Sequence, residues 1–299
     1  MRLKKRPEEL SAAQKAQLEL SIQRELENDR NYSLGGRSFY FFDFDDNIVN
    51  LSTSTYIFHK ETGEEIRLSS KEFAEISRKV GVSGPYRDYE IRFDDETGSF
   101  RHFRDRKLGP LSKLLGKKQA FIQDLVVAMS RPDFIWKGPS WDCFYHAVYN
   151  QRPISLITAR GHHPETIKHG IEQMIRHGHL PHQPNYLSIY PINYPPVREE
   201  LSLGEKKSVA EMKRAAIRAS VAKAIEVYGY SPYHRFGMSD DDDANLELIM
   251  EEMKYLKSVY PQMSFFVFDT QSGHIIKREV FHDHIENKKL DSPAQMSLF

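Results

Sequence analysis

A single cysteine, Cys143, stands among the 299 residues, so the chain forms no internal disulfide and builds no metal site from thiolates. Net charge is also missing. Lys and Arg number 42 and Asp and Glu number 42, which excludes a basic nucleic-acid coat or an acidic solvating tail as the chain's main business. No apolar run approaches the length of a membrane span. The first residues, Met1-Arg2-Leu3-Lys4-Lys5-Arg6-Pro7, are basic with no apolar stretch behind them and do not read as a secretory signal. A cytoplasmic protein with no membrane partner is the expectation. What the sequence does have is 39% hydrophobic and 12% aromatic residues, enough for a sizeable core. At roughly 150 residues per domain, the length suits two domains or one domain with a large insertion.

Residues 1–36 read as an N-terminal extension with a charged helix over 8–30. After Gly35-Gly36 comes Phe39-Tyr40-Phe41-Phe42, a continuous apolar run that suits a strand buried on both faces. Residues 51–138 have another character. Tyr56–His59 with Ile66–Leu68, and Tyr89–Phe93 with Ser99–Phe103, read as two hairpins around Gly-containing turns. Helices are expected over Ser70–Lys79, capped by Ser69 or Ser70, and over Lys117–Met129. From residue 139 strands and helices alternate. Strands are expected at Ile154–Ile157, Tyr186–Tyr190, His234–Met238 and Ser264–Phe268. Helices are expected at Trp141–Asn150, Pro164–His177, Ser208–Tyr228 and Leu246–Val259. That alternation predicts right-handed βαβ units and a Rossmann-like, mainly parallel sheet of five strands, an α/β fold. The sheet draws on residues 37–50 and 139–282, with 51–138 inserted after the first strand. Residues 283–299 are polar and read as a flexible tail.

In an open parallel sheet, ligands bind at the carboxyl ends of the strands. Three expected strands end in polar groups: Asp43 and Asp45, Thr158, and Asp240 and Asp241. Carboxylates gathered at one sheet edge repel one another and need a cation. An oxygen-only set without Cys or paired His selects Mg²⁺. Mg²⁺ beside a free carboxylate suits phosphoryl transfer.

Asp43-Phe44-Asp45-Asp46-Asn47-Ile48-Val49 resembles the first motif of the haloacid dehalogenase superfamily, an Asp-x-Asp after an apolar strand. Leu156-Ile157-Thr158-Ala159-Arg160-Gly161 resembles its second, and Phe236-Gly237-Met238-Ser239-Asp240-Asp241 its fourth. The segments cover about half of the chain and occur in the family's order. The resemblance implies a Mg²⁺-dependent phosphatase with residues 51–138 as an α+β cap. It implies Asp43 as the nucleophile that forms an aspartyl-phosphate. Asp45 protonates the leaving group and then activates water. Thr158 hydrogen-bonds a phosphoryl oxygen, and Ala159 and Arg160 belong to the same substrate loop. Asp43, Asp240, Asp241 and the main-chain carbonyl of Asp45 hold the metal. The family's third motif is a lysine. Lys213 falls on the stripe Val209, Met212, Ala216, Ile217, Ser220, Ala224 that should meet the sheet, which favours it over Lys207. The family often has Thr where this chain has Asn47. Asp242 and Asp243 compete with Asp241 for the metal shell. A second aspartate at position 45 argues for phosphate chemistry over dehalogenation.

Blander readings stand beside these. His162 and His163 read as surface loop. Cys143, Trp136, Trp141, Phe144 and Tyr145 read as packing. The stretch Arg101–Lys118 carries seven Lys and Arg against Asp105 alone, as a solvated loop or a steering patch for a phosphorylated substrate. A phosphotransferase, a nucleic-acid-end phosphatase and a non-catalytic binding module are the alternatives, with nucleic acid a disfavoured partner.

Overall fold

The structure, a computed structural model, describes residues 25–94, 96–107, 109, 118–270, 275–281 and 284–290. In chain order the strands are β1 (Ser38–Phe42), β2 (Thr55–His59), β3 (Glu65–Leu68), β4 (Tyr89–Glu90), β5 (Pro153–Thr158), β6 (Asn185–Pro191), β7 (Arg235–Asp240), β8 (Ser264–Asp269), β9 (Ile275–Val280) and β10 (Ile285–Leu290). The helices are α1 (Ser70–Ile76), α2 (Ala120–Met129), α3 (Asp133–Trp136), α4 (Trp141–Tyr149), α5 (Pro164–Arg176), α6 (Pro195–Ser202), α7 (Val209–Tyr228) and α8 (Asp243–Val259).

All five residues of β1 are buried. Their side chains alternate, Tyr40 and Phe42 into one core, Phe39 and Phe41 into the other, which is why the run is apolar throughout. The first core packs against α2, α4 and α5, and the second against α6, α7 and α8. The main sheet has seven strands in the order β10-β9-β8-β7-β1-β5-β6. Strands β6, β5, β1, β7 and β8 are parallel, and β9 and β10 add antiparallel to one side. From β1 the chain builds outward through β5 and β6, then returns to build through β7 and β8. The order therefore reverses at β1, between β5 and β7, the place where such sheets open a crevice.

The expected count of five strands is two short. β9 and β10 are half-exposed or polar in sequence, as antiparallel strands at the side of a sheet are allowed to be, so no apolar run marks them. β10 also occupies 285–290 of the expected tail. Residues 25–30 are not helical, and the rest of the expected helix, 8–24, lies outside the described residues.

A second, three-stranded antiparallel sheet, β3-β2-β4, arises from the segment between β1 and β5. The hairpin of β2 and β3 forms as its sequence suggests, and Gly63 takes the left-handed conformation in its turn. Helix α1 has the expected Ser69 cap, completed by Glu72 in a capping box. The other expected hairpin does not form. β4 has two residues and pairs with β2, while Arg101–Phe103 is a 3-10 turn. The Asp94 carboxylate explains this. It accepts bonds from the main-chain N–H groups of Glu96 and Thr97 and folds the segment into a compact turn instead of a ladder.

Among the described residues, no helix is long and apolar enough to cross a membrane.

Candidate active site

Each strand flanking the reversal delivers polar groups at its carboxyl end. Asp43 follows β1, Thr158 ends β5 and Asp240 ends β7. The Asp43 N–H donates to Ser239 O at 3.0 Å, which carries the β1–β7 ladder one step past the strand. As a result, one carboxylate oxygen each from Asp43, Asp240 and Asp241 lies within 4.8 Å of the others. Asp43 and Asp240 are buried and Asp241 is half-buried. This oxygen-only set can hold a metal ion.

Lys213 completes the cluster. Its Nζ lies 2.7 Å from Asp240 Oδ2 and 3.2 Å from Asp43 Oδ2. The lysine sits on the inward face of α7 between Met212 and Ala216, and α7 begins at a capping box of Ser208 and Glu211. Lys207 points elsewhere. Its Nζ donates to Leu201 O at 3.3 Å and meets Glu205 at 3.6 Å. Asp240 is bound on its other oxygen by Asp242 N–H at 3.1 Å and Asn245 Nδ2 at 3.2 Å. Asp242 itself caps α8, accepting from Asn245 N–H, so its carboxylate is committed away from the cluster. Asn245 was not marked by any motif; its signal is its position three residues after a capping Asp.

These charges act on one another. Burial pushes the Asp43 carboxyl well above its ordinary range, Lys213 opposes this, and Asp240, Asp241 and Asp45 add to it. Burial and the neighbouring Asp240 push Asp241 up to about 7. Burial alone would lower the Lys213 ammonium; Asp240 and Asp43 outweigh it and hold the proton on. Three crowded carboxylates with only one ammonium among them leave excess negative charge, the condition that a divalent cation relieves.

Asp45 lies apart from the three. Arg160, fully buried, donates from Nε to its Oδ2 at 2.8 Å and from Nη2 to its Oδ1 at 2.6 Å. Turned this way, Asp45 lines a cavity of about 960 Å³, together with Ala159, Arg160 and residues of the inserted segment. The side chain of Asp45 is therefore not grouped with the metal-holding carboxylates, which is compatible with a metal role through its main-chain carbonyl. Thr158 is buried beside this pair. Its Oγ1 accepts from Arg160 N–H at 3.2 Å and makes a long 3.5 Å contact with Asp45 Oδ2.

Arg160 is sandwiched by rings, with its guanidinium carbon 5.0 Å from the centre of Phe103 and 4.7 Å from that of Phe121. Its Nη2 also donates to Thr53 Oγ1 at 2.9 Å, which in turn donates to Asp124 Oδ2 at 2.8 Å. A chain of polar contacts thus runs from α2, through the start of the insertion, to Asp45.

His162 is not surface loop. It is fully buried, its ring 5.2 Å from that of Phe121, and burial followed by the Arg160 charge pushes its pKa well below the ordinary value. His163 caps α5, accepting from Glu165 N–H. Cys143, Trp136, Trp141 and Phe144 are buried packing residues.

Asn47 knots the site from beneath. Its Nδ2 donates to Asp43 O at 3.1 Å, Ser239 O at 3.2 Å and Ser239 Oγ at 2.8 Å. Its Oδ1 accepts from Ser140 Oγ at 2.8 Å and Thr270 Oγ1 at 2.9 Å. Gly138 approaches from the side, where a Cβ would stand 2.3 Å from Asn47 O. In the basic stretch, Arg101 is committed to Glu65 at 2.7 Å and to the ring of Tyr56. Lys113 and Lys117 lie outside the described residues, as does the Asp243 side chain.

No family model, curated protein or solved structure matches the chain.

Proposed function

We propose that the chain is a Mg²⁺-dependent phosphomonoester hydrolase of the haloacid dehalogenase type, with the part of residues 51–138 that precedes α2 as its cap, since α2 and Trp136 pack in the main sheet's core. One observation carries the reading. Asp43 lies in a buried cluster with Lys213, Asp240 and Asp241 at the sheet's reversal point, while Asp45, two residues on, faces a large cavity. A carboxylate held against a lysine and a metal-binding pair is placed to receive a phosphoryl group. A second carboxyl on the cavity side is placed to handle the proton of the leaving oxygen.

An Asp43 oxygen attacks phosphorus and the bond to the leaving oxygen breaks, which leaves an acyl phosphate on Asp43. Asp45 gives its proton to the leaving oxygen. A water then attacks phosphorus, Asp45 takes its proton, and the Asp43–phosphate bond breaks to release inorganic phosphate. Lys213 and the Thr158 hydroxyl supply positive potential and a donor for the phosphoryl oxygens. Mg²⁺, held by Asp43, Asp240 and Asp241, would offset the charge that the anionic nucleophile and phosphate bring together.

The test is release of phosphate from a generic aryl phosphate with Mg²⁺ and after chelation. Turnover should require the metal and be abolished in Asp43→Asn. Wild-type turnover in that variant would remove Asp43 from the nucleophile's role.

A further inference from the structure

We propose that the cavity beside Asp45 takes a phosphomonoester whose leaving group is a planar aromatic ring bearing a second negative charge. This rests on the reading of Asp43 and Asp45 as the reacting pair.

Size is the first argument. Pockets that enclose whole small ligands measure roughly 300–1,000 Å³. This one, at about 960 Å³, is far too large for a phosphoryl group, so most of what fills it is leaving group.

The wall is the second. Phe73, Phe93, Phe100 and Phe103 all line the cavity, and all come from the insertion. Phe100 stands edge-on to Phe73, with ring centres 5.4 Å apart, and edge-on to Phe103 at 6.4 Å. Phe93 lies tilted beside Phe100 at 6.0 Å. The row ends at Arg160, the residue that grips Asp45, under the ring of Phe103. Phe93 is 71% exposed, so it contributes little to the core, yet it extends the row at the cavity. A row of aromatic faces and edges leading to the reacting carboxyl is matched best by another flat ring.

Charge is the third. Arg198 lines the same cavity. Its Nη1 donates to Asn193 Oδ1 at 3.0 Å and its Nη2 to Lys207 O at 2.6 Å. Both acceptors are neutral, so these bonds aim the guanidinium without cancelling its charge. Arg104 lines the cavity too; burial and then the Arg198 charge disfavour its own charge, and Asp94 opposes them. Of the acidic residues lining it, Glu199 and Glu205 are exposed, Glu205 is paired with Lys207 at 3.6 Å, and the half-buried Asp45 is paired with Arg160. The Arg198 guanidinium, bonded only to neutral acceptors in the bonds above, is the charge that an anionic group in the cavity would meet.

The experiment is titration calorimetry of the full chain with Mg²⁺, using phosphonates, whose carbon–phosphorus bond is not hydrolysed. The probes are naphthylmethylphosphonate, the same ring carrying a carboxylate, and butylphosphonate. The naphthyl compound should bind about tenfold more tightly than the butyl compound, and the added carboxylate should bring about a further fivefold. Phe93→Ala and Phe100→Ala should compress the naphthyl-to-butyl ratio to about threefold or less, and Arg198→Gln should abolish the gain from the carboxylate. Equal affinities for ring and chain, an unchanged ratio in both Phe variants, no gain from the carboxylate, or no binding of any probe would overturn the proposal. Ring-selective binding by a protein that hydrolyses no phosphomonoester would overturn the hydrolase reading and leave only the cavity's choice of an anionic aromatic ligand.

Discussion

Arg160 grips Asp45 with two arms of its fork, Nε at 2.8 Å from one carboxylate oxygen and Nη2 at 2.6 Å from the other. Asp43 and Asp45 are two residues apart on a loop leaving β1, yet their cationic partners differ. Asp43 answers to Lys213, Asp240 and Asp241, whereas Asp45 answers to Arg160. The fork packs against Phe103 and Phe121, so the direction of Asp45 is set by the segment between β1 and β5 as much as by the sheet.

Arg160→Lys should therefore be far from conservative. Lysine keeps the charge but satisfies one Asp45 oxygen at a time and leaves Thr53 short of a donor. We expect kcat to fall about a hundredfold with KM changed little, because in the proposed mechanism the displaced group acts in the transition state. Steady-state kinetics on an aryl phosphate read the split, and a thermal melt alongside shows whether the fold survives. A rise in KM at constant kcat would make Arg160 a substrate anchor instead.

Lys213→Met should destabilise the metal-free protein by about 3–5 kcal/mol, since it leaves buried carboxylates with no cation among them. Lys207→Met should cost about 1 kcal/mol or less, its partner Glu205 being exposed. Urea midpoints of the two variants without metal make the comparison. Equal midpoints would mean that Lys213 is not the cluster's counter-charge.

Much of this site was legible because strand ends are legible. Asp43, Thr158 and Asp240 each follow an apolar run, and a parallel sheet brings such ends to one edge whatever the loops do. Lys213 was readable for a related reason: a charge on an apolar helical stripe must meet an opposite charge inside. The grip of Arg160 on Asp45 was not readable. It depends on Phe103 and Phe121, which come from the insertion, where no period or motif fixes how the chain returns. His162 was hidden for the same reason, since its polar neighbours suggest a loop and the Phe121 ring it packs against comes from the segment before β5. β9 and β10 escaped because an antiparallel strand added at the side of a sheet carries no apolar signature.

Asn47 yields a prediction of its own. One side chain joins the ends of β1 and β7 to Ser140 and Thr270 through five hydrogen bonds, all buried. Asn47→Ala strands several of those groups at once and should cost about 2–4 kcal/mol. Asn47→Thr, with one hydroxyl against an amide's three hydrogen-bonding atoms, should recover only part of it. Denaturant unfolding with an unchanged slope would confirm a loss of native stability; a variant as stable as wild type would show that the knot is ornamental.

The carboxylate cluster sets how stability depends on pH. Asp241 is pushed up to about 7, Asp46 up to about 6, and Asp43 well above the carboxylate range, in each case first by burial and then by neighbouring charges. In the unfolded chain all three titrate near 3.8. Between about pH 4 and 7 the folded state therefore holds protons that the unfolded chain has released, so stability is full at the acid end and drains away as pH rises through that window. A divalent cation reverses the balance, since its ligands must be deprotonated and the charge it offsets is the charge that destabilises. Against the opposite pull of buried His162, whose lowered pKa favours folding as pH rises, the melting temperature of the metal-free wild type should fall more steeply from pH 5 to pH 8 than that of Asp241→Asn. Added Mg²⁺ should raise it more at pH 8 than at pH 5, and Asp241→Asn should flatten both responses. A gain from Mg²⁺ that is equal at the two pH values, or unchanged in Asp241→Asn, would mean that the ion does not sit among these carboxylates.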